Sequence, residues 1–244
     1  RIRQTIQDIK AVKIYISRYY YILISKISPQ KIMKFKAEKY IFYAEARDWW
    51  RFIQPFEPKT RKFLEEHIRG ASLFIDIGAH IGIYAIPASH YTNVIAFEPE
   101  PTNFFLLYKN VIANNAHNKV VPLPLAISDT YGIDELCISD TSSGHHTLNK
   151  EHNCHKKITI IKTTLDQILI HFNSKPDIIK IDIEGHEDRA FHGMKKTLEH
   201  KPVLIVETTD KSHIYKYLTS IGYKAIKLDC WNETLCNYGF TPLF

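Results

Sequence analysis

Side chains that can move a proton are concentrated in a short stretch around residue 184. Asp182, Glu184 and His186 stand at alternate positions after a strand-like run, 176–182. Carboxylates and imidazoles can take a proton from a hydroxyl or position the molecule that carries it. We therefore take Asp182, Glu184 and His186 as the candidate catalytic residues. For His186 two interpretations stay open: a general base, or a residue that caps or orients the following helix.

A further carboxylate, Glu207, follows another strand-like run, 202–206. Because the ends of parallel strands face one crevice, Asp182 and Glu207 are expected to lie close together. Two such carboxylates can hold a divalent ion that acidifies a hydroxyl. The sequence favours a site without metal, and a divalent metal held by Asp182 and Glu207 is the alternative. The His- and Cys-containing segment 145–155 has no spacing typical of a zinc site, which favours an ordinary loop in an inserted hairpin, 133–163.

A glycine-containing turn joins a buried strand-like run, 73–77, to a helix-like run, 83–91. Its glycines, Gly78 and Gly82, are spaced G-x-x-x-G rather than the G-x-G-x-x-G of nicotinamide binders. Glycine lets the backbone approach a ligand closely, and a helix N-terminus presents free N–H groups. Asp76, just before the turn, repels a pyrophosphate but suits an amino group, such as that of the amino-acid part of S-adenosylmethionine.

Glu98 stands 20 residues after Gly78, at the end of the strand-like run 93–97. Doubly wound folds place there the acid that accepts hydrogen bonds from ribose hydroxyls. Another strand-like run, 120–127, ends at Ser128 and Asp129, near where an adenine is expected. The candidate cofactor-binding residues are therefore Asp76, Gly78, His80, Gly82, Glu98, Ser128 and Asp129.

The elements that must position these residues alternate between strand and helix from residue 72 onward, which predicts an α/β fold with a doubly wound sheet. The blocks around them resemble, in order and in spacing, those of the FkbM-type methyltransferases: FIDIGAHIGIYA (74–85), AFEPEPTNFFLLYKN (96–110), LAISD (125–129), TLDQI (164–168), IIKIDIEGHE (178–187) and PVLIVET (202–208). His80 departs from the family pattern, which commonly has Asn there.

The resemblance implies a Rossmann-like class I methyltransferase fold over residues 58–244, with a mostly parallel sheet of seven strands. It also implies that the chain binds S-adenosylmethionine. Members usually methylate a hydroxyl on a sugar, a glycan or a polyketide-like small molecule, so the expected partner is such an acceptor rather than a nucleic acid.

Residues 1–57 lie outside the resemblance and are predicted to form a helical extension. Apolar residues recur every seven positions, a helical spacing, at Ile2, Ile9, Ile16 and Leu23. No run reaches the ~18–20 apolar residues of a transmembrane helix. Three roles stay open: a helix on its own domain, a membrane-surface helix through residues 1–28, or a helix that forms a homodimer. Residues 30–69 are also expected to be mostly helical, with aromatic residues that pack in a core or form a lid.

Composition narrows the class of protein but not its substrate. Hydrophobic residues make up 45% and charged residues 24%, and the net charge of +6 is spread along the chain, which does not indicate nucleic acid. Four cysteines without C-x-x-C spacing favour a reduced, cytoplasmic protein, with peripheral membrane contact as the alternative.

Three other functions compete with methyl transfer to a small molecule. An NAD-dependent oxidoreductase would use Glu98, but the turn lacks the third glycine and Asp76 has the wrong charge. A nucleic-acid methyltransferase usually carries an amide or aromatic pocket for a flipped base after the fourth strand, where this chain has the acidic stretch 180–187. A non-catalytic module would bind the cofactor without turnover.

Overall fold

A computed structural model describes residues 20–53, 55–139, 142–148, 154 and 156–243 of the 244-residue chain. The chain divides into two compact units, Arg1–Phe56 and Glu57–Phe244. Each unit is built around its own set of elements.

The first unit contains a β-hairpin where a helix was expected. After helix α1, of which residues 20–27 are described, β1 (Ile32–Ala37) pairs antiparallel with β2 (Tyr40–Glu45), and a 3₁₀ helix covers Ala46–Phe52. The prediction that residues 30–69 are mostly helical is therefore wrong for the hairpin. Exposed side chains of β1 alternate with less exposed ones with a period of two, and the buried Phe35 pairs with the buried Phe42 across the hairpin.

Most of the N-terminal apolar stripe lies outside the described residues. In the described part of α1, Leu23 and Ile27 are exposed. The packing, membrane-surface and dimer interpretations of residues 1–28 therefore stay predictions. Among the described residues, none of the helices is both long enough and apolar enough to cross a bilayer.

The second unit is an α/β domain built on a seven-stranded sheet in the order β11-β12-β10-β9-β3-β4-β5. All neighbouring pairs are parallel except those of β12, which is antiparallel to both β10 and β11. This confirms the predicted mostly parallel, seven-stranded fold. The elements are α2 (Pro58–Ile68), β3 (Leu73–Ile77), α3 (Ala85–Ala88), β4 (Asn93–Phe97), α4 (Pro101–Ala113), β5 (Val120–Leu123), β6 (Ala126–Ile127), β7 (Gly132–Ile138), β8 (Lys156–Thr163), α5 (Leu165–Phe172), β9 (Ile178–Ile181), α6 (Glu187–His192), α7 (Lys195–Leu198), β10 (Val203–Thr208), α8 (His213–Ser220), β11 (Tyr223–Cys230) and β12 (Cys236–Pro242).

The core lies on both faces of this sheet. On one face, alternate residues of the central strands, such as Ile75 and Ile179, join buried side chains of α5, α6 and α8 in one apolar cluster. On the other face α2 packs against β10, β11 and β12, and a Cβ on Gly239 would meet the Phe63 ring at 2.5 Å. The short apolar strands found in the sequence are therefore covered on both sides, as parallel strands must be.

The expected strand 120–127 is two strands in two sheets. β5 forms the edge of the large sheet, whereas β6 joins β8 and β7 in a separate three-stranded sheet. β5 ends at Leu123 and β6 begins at Ala126, so Pro124 and Leu125 separate the two strands. The small sheet contains the segment that was expected to be an inserted hairpin, because β7 pairs antiparallel with β8.

All four cysteines are paired, which corrects the expectation of reduced thiols. Disulfides join Cys137 to Cys154 and Cys230 to Cys236. The hairpin geometry brings the Cα atoms of Cys137 and Cys154 to 5.6 Å although they are 17 residues apart, and the spacing of the residues does not reveal this. The cytoplasmic location inferred from unpaired thiols loses that support and stays a prediction.

Gly78 lies where the strand order reverses, between β3 and β9. Its φ is +80°, and an ideal Cβ would lie 1.9 Å from the backbone oxygen of Asp182. No side chain fits there, because such a contact is far inside the van der Waals distance. Glycine at this position is therefore required both by backbone angle and by the close approach of the two strand ends.

We predict that Gly78→Ala lowers the free energy of unfolding by about 3 kcal/mol or more, because overpacking (~1–3 kcal/mol) adds to the cost of a left-handed backbone (~1–2 kcal/mol). Gly70→Ala is the matched control: its φ is +89°, but no atom lies within 4 Å of its ideal Cβ. Urea denaturation of both variants at one pH measures the difference. Equal losses in the two variants would show that the contact with Asp182 does not matter.

Candidate functional site

A cavity opens at the carboxyl ends of β3, β4 and β9. This is the edge where doubly wound folds bind ligands. Six of the residues predicted from the sequence line it: Gly78, His80, Glu98, Asp182, Glu184 and His186. Asp76, Gly82, Ser128, Asp129 and Glu207 do not line it.

Glu98 is fixed at the end of β4 by backbone donors. Its Oε2 accepts from the His80 N–H at 2.9 Å, and its Oε1 accepts from the Glu100 N–H at 2.9 Å. Burial raises the pKa of Glu98 to about 8, although these N–H groups oppose the shift. The carboxyl group therefore has a set orientation at the cavity wall, where it can accept hydrogen bonds from a ligand's hydroxyls.

His80 connects the glycine turn to the inserted segment. It takes a left-handed backbone angle, φ +52°, which Asn and His adopt more readily than most residues. Its Nε2 lies 2.7 Å from the Ser143 Oγ, and the Asn103 side-chain amide donates to the Ser143 carbonyl at 2.7 Å. Asn at position 80 would suit the backbone equally, so the departure from the family pattern leaves the turn intact.

The inserted segment supplies a wall of the cavity, and the sequence did not single out the residues that form it. Ser143, Gly144, His146 and Leu148 line the cavity, and the Thr147 hydroxyl donates to the Glu184 carbonyl at 2.6 Å. The polar composition of 142–148 was consistent with an exposed loop, and no residue spacing distinguishes a loop that folds back over a site. Cys154 of this segment lies in a disulfide, so its sulfur is not a thiolate ligand for zinc.

Asp76 lies behind the cavity rather than in its lining. It is fully buried, and neither carboxylate oxygen makes a hydrogen bond of ordinary geometry with the described residues. Burial raises the pKa of Asp76 to about 6, and the Lys180 ammonium acts in the opposite direction. Contact between Asp76 and a ligand's amino group stays a prediction. Gly82 also lies outside the lining, where a Cβ would meet the Leu107 side chain at 2.8 Å.

His186 holds two loops together. Its Nε2 lies 2.9 Å from the Oγ of buried Ser128, and this hydroxyl also donates to Asp129 at 3.0 Å. Burial, together with the nearby Arg189 guanidinium, lowers the pKa of His186 to about 4. His186 stands at the N-cap position of α6, but its side chain makes no capping hydrogen bond there. A neutral imidazole with its Nε2 occupied is a poor candidate for the base, but a good one for fixing the loop after β6.

Carboxylates from two strand ends meet at the other end of the cavity. One oxygen from each of Asp182, Glu184 and Glu207 lies within 4.8 Å of the others. The Lys180 ammonium contacts the Asp182 Oδ2 at 2.9 Å, and the charges of Asp182 and Asp76 outweigh burial to raise the pKa of Lys180. Burial and the neighbouring carboxylates raise the pKa of Glu207. Negative charge is therefore concentrated next to the acidic part of the cavity wall.

The cavity thus has apolar walls between two polar ends. Phe97, Leu125, Ile127 and Leu148 contribute the apolar surface. The fixed Glu98 carboxyl group stands at one polar end, and Asp182 with Glu184 stands at the other. Such a cavity can hold a flat apolar group beside a sugar, with oxygen acceptors at its acidic end.

Comparison with known proteins identifies relatives of the chain. The family model described as "Methyltransferase FkbM domain" matches residues 76–225. The hexuronic acid methyltransferase AglP of Haloferax volcanii is 31% identical over 154 residues, which are 62% of this chain and 62% of AglP.

Two solved structures resemble the fold. The methyltransferase FkbM from Methylobacillus flagellatus KT has a TM-score of 0.52 and 19% identity, over 70% of this chain and 43% of that one. An rRNA methylase from Streptococcus thermophilus has a TM-score of 0.50 and 9% identity, over 76% of this chain and 95% of that one. At these identities the likeness shows the fold alone. The chain spans less than two thirds of the length of AglP and of the Methylobacillus protein.

Glu98 makes the stability of the fold depend on pH. Its pKa in the folded protein, about 8, lies above its ordinary value of 4.5, so the folded state holds the proton more tightly. The contribution of this tighter proton binding to the free energy of unfolding is fully present below pH 4.5 and is lost as the pH rises to about 8.

We predict that raising the pH from 5 to 8 destabilises the wild type more than it destabilises Glu98→Gln. The difference between their free energies of unfolding, wild type minus variant, should fall by ~1.4 kcal/mol or more, because one pKa unit corresponds to ~1.36 kcal/mol. Urea denaturation at several pH values measures this difference. Glu65→Gln, which removes an exposed carboxylate of α2, controls for the loss of a charge. A difference that does not change with pH would contradict the buried, protonated state of Glu98.

Proposed function

The chain belongs to the FkbM family of methyltransferases, and from that premise we propose that it transfers the methyl group of S-adenosylmethionine to a hydroxyl of a sugar, a glycan or another small molecule. The observation that carries this proposal is the cavity. A carboxyl group fixed by two backbone N–H groups, an apolar wall and an acidic end lie in one continuous lining.

The residues of the cavity match the parts of the donor. Glu98 accepts hydrogen bonds from the ribose hydroxyls. The apolar side chains Phe97, Ile127 and Leu148 cover the adenine. Gly78, which leaves no room for a Cβ, lets the turn approach the donor closely. When bound, S-adenosylmethionine supplies an activated methyl group on a sulfonium.

A sugar acceptor is supported by AglP, which is named as a hexuronic acid methyltransferase. A sugar hydroxyl is a weak acid, so a group that takes its proton is needed near the reacting oxygen. Asp182 and Glu184 line the cavity at its acidic end and are the groups we propose for this role. A sugar that carries several hydroxyls also suits a site with several oxygen acceptors.

The proposed reaction is an in-line displacement. Asp182 and Glu184 hold the acceptor hydroxyl and take its proton. The hydroxyl oxygen forms a bond to the methyl carbon as the carbon–sulfur bond breaks, and the sulfur keeps the electron pair. Lys180 holds Asp182 in place through its 2.9 Å contact, and His186 positions the loop after β6 through Ser128. Orientation of this kind supplies much of the rate enhancement of such reactions.

The competing functions fit the cavity less well. A nicotinamide coenzyme would bring a pyrophosphate to a turn with Asp76 behind it and Asp182 beside it, and like charges repel. A nucleic acid would meet the carboxylates of Asp182, Glu184 and Glu207. The likeness to an rRNA methylase concerns the fold and carries no inference about the acceptor.

Calorimetric titration with S-adenosylmethionine and, separately, with NAD tests the donor. We predict micromolar binding of S-adenosylmethionine alone, weakened at least tenfold in Glu98→Ala, because the ribose hydroxyls lose a fixed acceptor. Glu65→Ala, on the exposed surface of α2, is the control and should bind like the wild type. Tight binding of NAD, or no binding of S-adenosylmethionine by folded protein, would overturn the proposal.

Steady-state kinetics with an unmethylated hexuronic acid or a neutral hexose as the acceptor test the roles of the side chains. We predict that Asp182→Asn and Glu184→Gln each lower kcat by about 100-fold or more, as expected for loss of a proton acceptor. The Kd for S-adenosylmethionine should change by less than about threefold, because the donor contacts stay in place. His186→Asn should lower kcat less than either variant. The reverse order would make His186 the base.

A further inference from the structure

We propose that Asp182, Glu184 and Glu207 form a site for a divalent cation that prefers oxygen ligands, such as Mg²⁺ or Mn²⁺, beside the acceptor hydroxyl. The inference rests on the proposed function and deepens it, because it assigns the acidification of the hydroxyl to a bound cation.

The spacing of the carboxylates suits a cation. One oxygen from each of Asp182, Glu184 and Glu207 lies within 4.8 Å of the others. Two oxygens on opposite sides of a divalent cation lie ~4–5 Å apart, because each is ~2.0–2.6 Å from the ion. Asp182 and Glu184 lie in the loop after β9, and Glu207 lies at the end of β10. The sheet therefore fixes the relative positions of the two strand ends that supply these groups.

Two of the three carboxylates have partners in the protein. The Lys180 ammonium contacts Asp182 at 2.9 Å, and the Nε2 of the largely exposed His145 lies 4.0 Å from the Glu184 Oε1. Glu207 is only 7% exposed, and among the described residues no hydrogen bond or ion pair engages it. Glu207 is buried, whereas Asp182 and Glu184 are half-buried. Three carboxylates this close repel one another, and a dication would remove that repulsion.

Asn237 provides an independent observation. It lies directly opposite Glu207 in the antiparallel pair of β10 and β12, so the two side chains are on the same face of the sheet. Asn237 has no exposed surface, and neither its amide oxygen nor its amide nitrogen has a hydrogen-bond partner among the described residues. A buried amide without a partner is rare in proteins and points to a missing ligand. Amide oxygens are among the usual ligands of such cations.

A cation at this place changes the role of the acids from bases to ligands. It would bind the acceptor oxygen and lower the pKa of the hydroxyl, so that its proton passes to water. The oxygen then forms the bond to the methyl carbon, the carbon–sulfur bond breaks, and the sulfur keeps the electron pair. The carboxylates stay ionised throughout, which is the state that binds the cation.

The test is a titration of the full chain, stripped with EDTA and freed of the chelator, with MnCl₂ in the absence of donor and acceptor. Free Mn²⁺ is counted by its electron paramagnetic resonance signal. We expect one saturable site per chain, with a Kd raised at least tenfold in Glu207→Gln and at least threefold in Asn237→Ala. Glu199→Gln, an exposed carboxylate after α7, is the matched control and should leave the Kd unchanged.

Circular dichroism confirms that each variant is folded. Asn237→Ala removes a buried amide that has no partner, so its fold should survive, and it decides the question if Glu207→Gln does not fold. No saturable binding by folded wild type, or binding that neither variant weakens, would overturn the proposal. Displacement of Mn²⁺ by saturating S-adenosylmethionine would also overturn it, because the acids would then serve the amino group of the donor.

The failure of this inference is distinguishable from that of the proposed function. Binding of S-adenosylmethionine and methyl transfer at an undiminished rate in EDTA would refute the cation site. The proposed methyltransferase function would then still stand. Saturable Mn²⁺ binding by a protein that does not bind S-adenosylmethionine would leave the cation site and refute the proposed function.

Discussion

The close approach of two strand ends, at Gly78 and Asp182, is the constraint on which the site depends. A doubly wound sheet has one place where its connections turn to opposite faces, and a crevice forms there only if the turns after the two strands can pass each other. Here the distance from an ideal Cβ of Gly78 to the Asp182 oxygen is 1.9 Å, so the turn after β3 lies directly against the loop after β9. The backbone contact therefore fixes the position of the donor side of the cavity relative to its acidic side. The side chains then line a cavity whose outline the backbone has set.

Burial of acids is the energetic cost of this arrangement. Burial raises the pKa of Asp76, Glu98 and Glu187, each in a different surrounding. Glu98 and Glu187 are oriented by backbone N–H groups, whereas Asp76 is balanced mainly by the Lys180 ammonium. Buried acids with raised pKa values are typical of functional sites. A ligand that supplies the missing partner offsets the free-energy cost of their burial when it binds. The fold tolerates it because an apolar cluster on one face of the sheet and α2 on the other keep the strands in place.

Much of the fold was predictable from the sequence, and the reasons differ by element. Strands β3 and β4 are short apolar runs that end in Asp76-Ile77 and Glu98, and periodicity with glycine punctuation is enough to place them. The hairpin of β1 and β2 was missed because its aromatic residues also fit a helical spacing, and only the cross-strand register that pairs Phe35 with Phe42 decides between the two. In the site, Glu98 and Asp182 were found because strand ends have fixed places in this topology. Ser143 was not, because its position depends on hydrogen bonds to His80 and Asn103 that no local pattern encodes. The position of Asp76 near a strand end was predictable in the same way, but the burial of its side chain behind the cavity was not.

The disulfide between Cys137 and Cys154 has a consequence for the energy of ligand capture. It joins two residues that are 17 apart in the sequence, on either side of Ser143, His146 and Leu148, which form part of the cavity wall. A cross-link of about this length removes ~3 kcal/mol of chain entropy from the unfolded state. A cavity wall that is already confined in the free protein loses less conformational entropy when the ligand binds. More of the free energy of the ligand contacts then contributes to affinity. The oxidation state of two sulfurs outside the lining would in this way set how tightly the cavity retains whatever it holds, without either sulfur touching it.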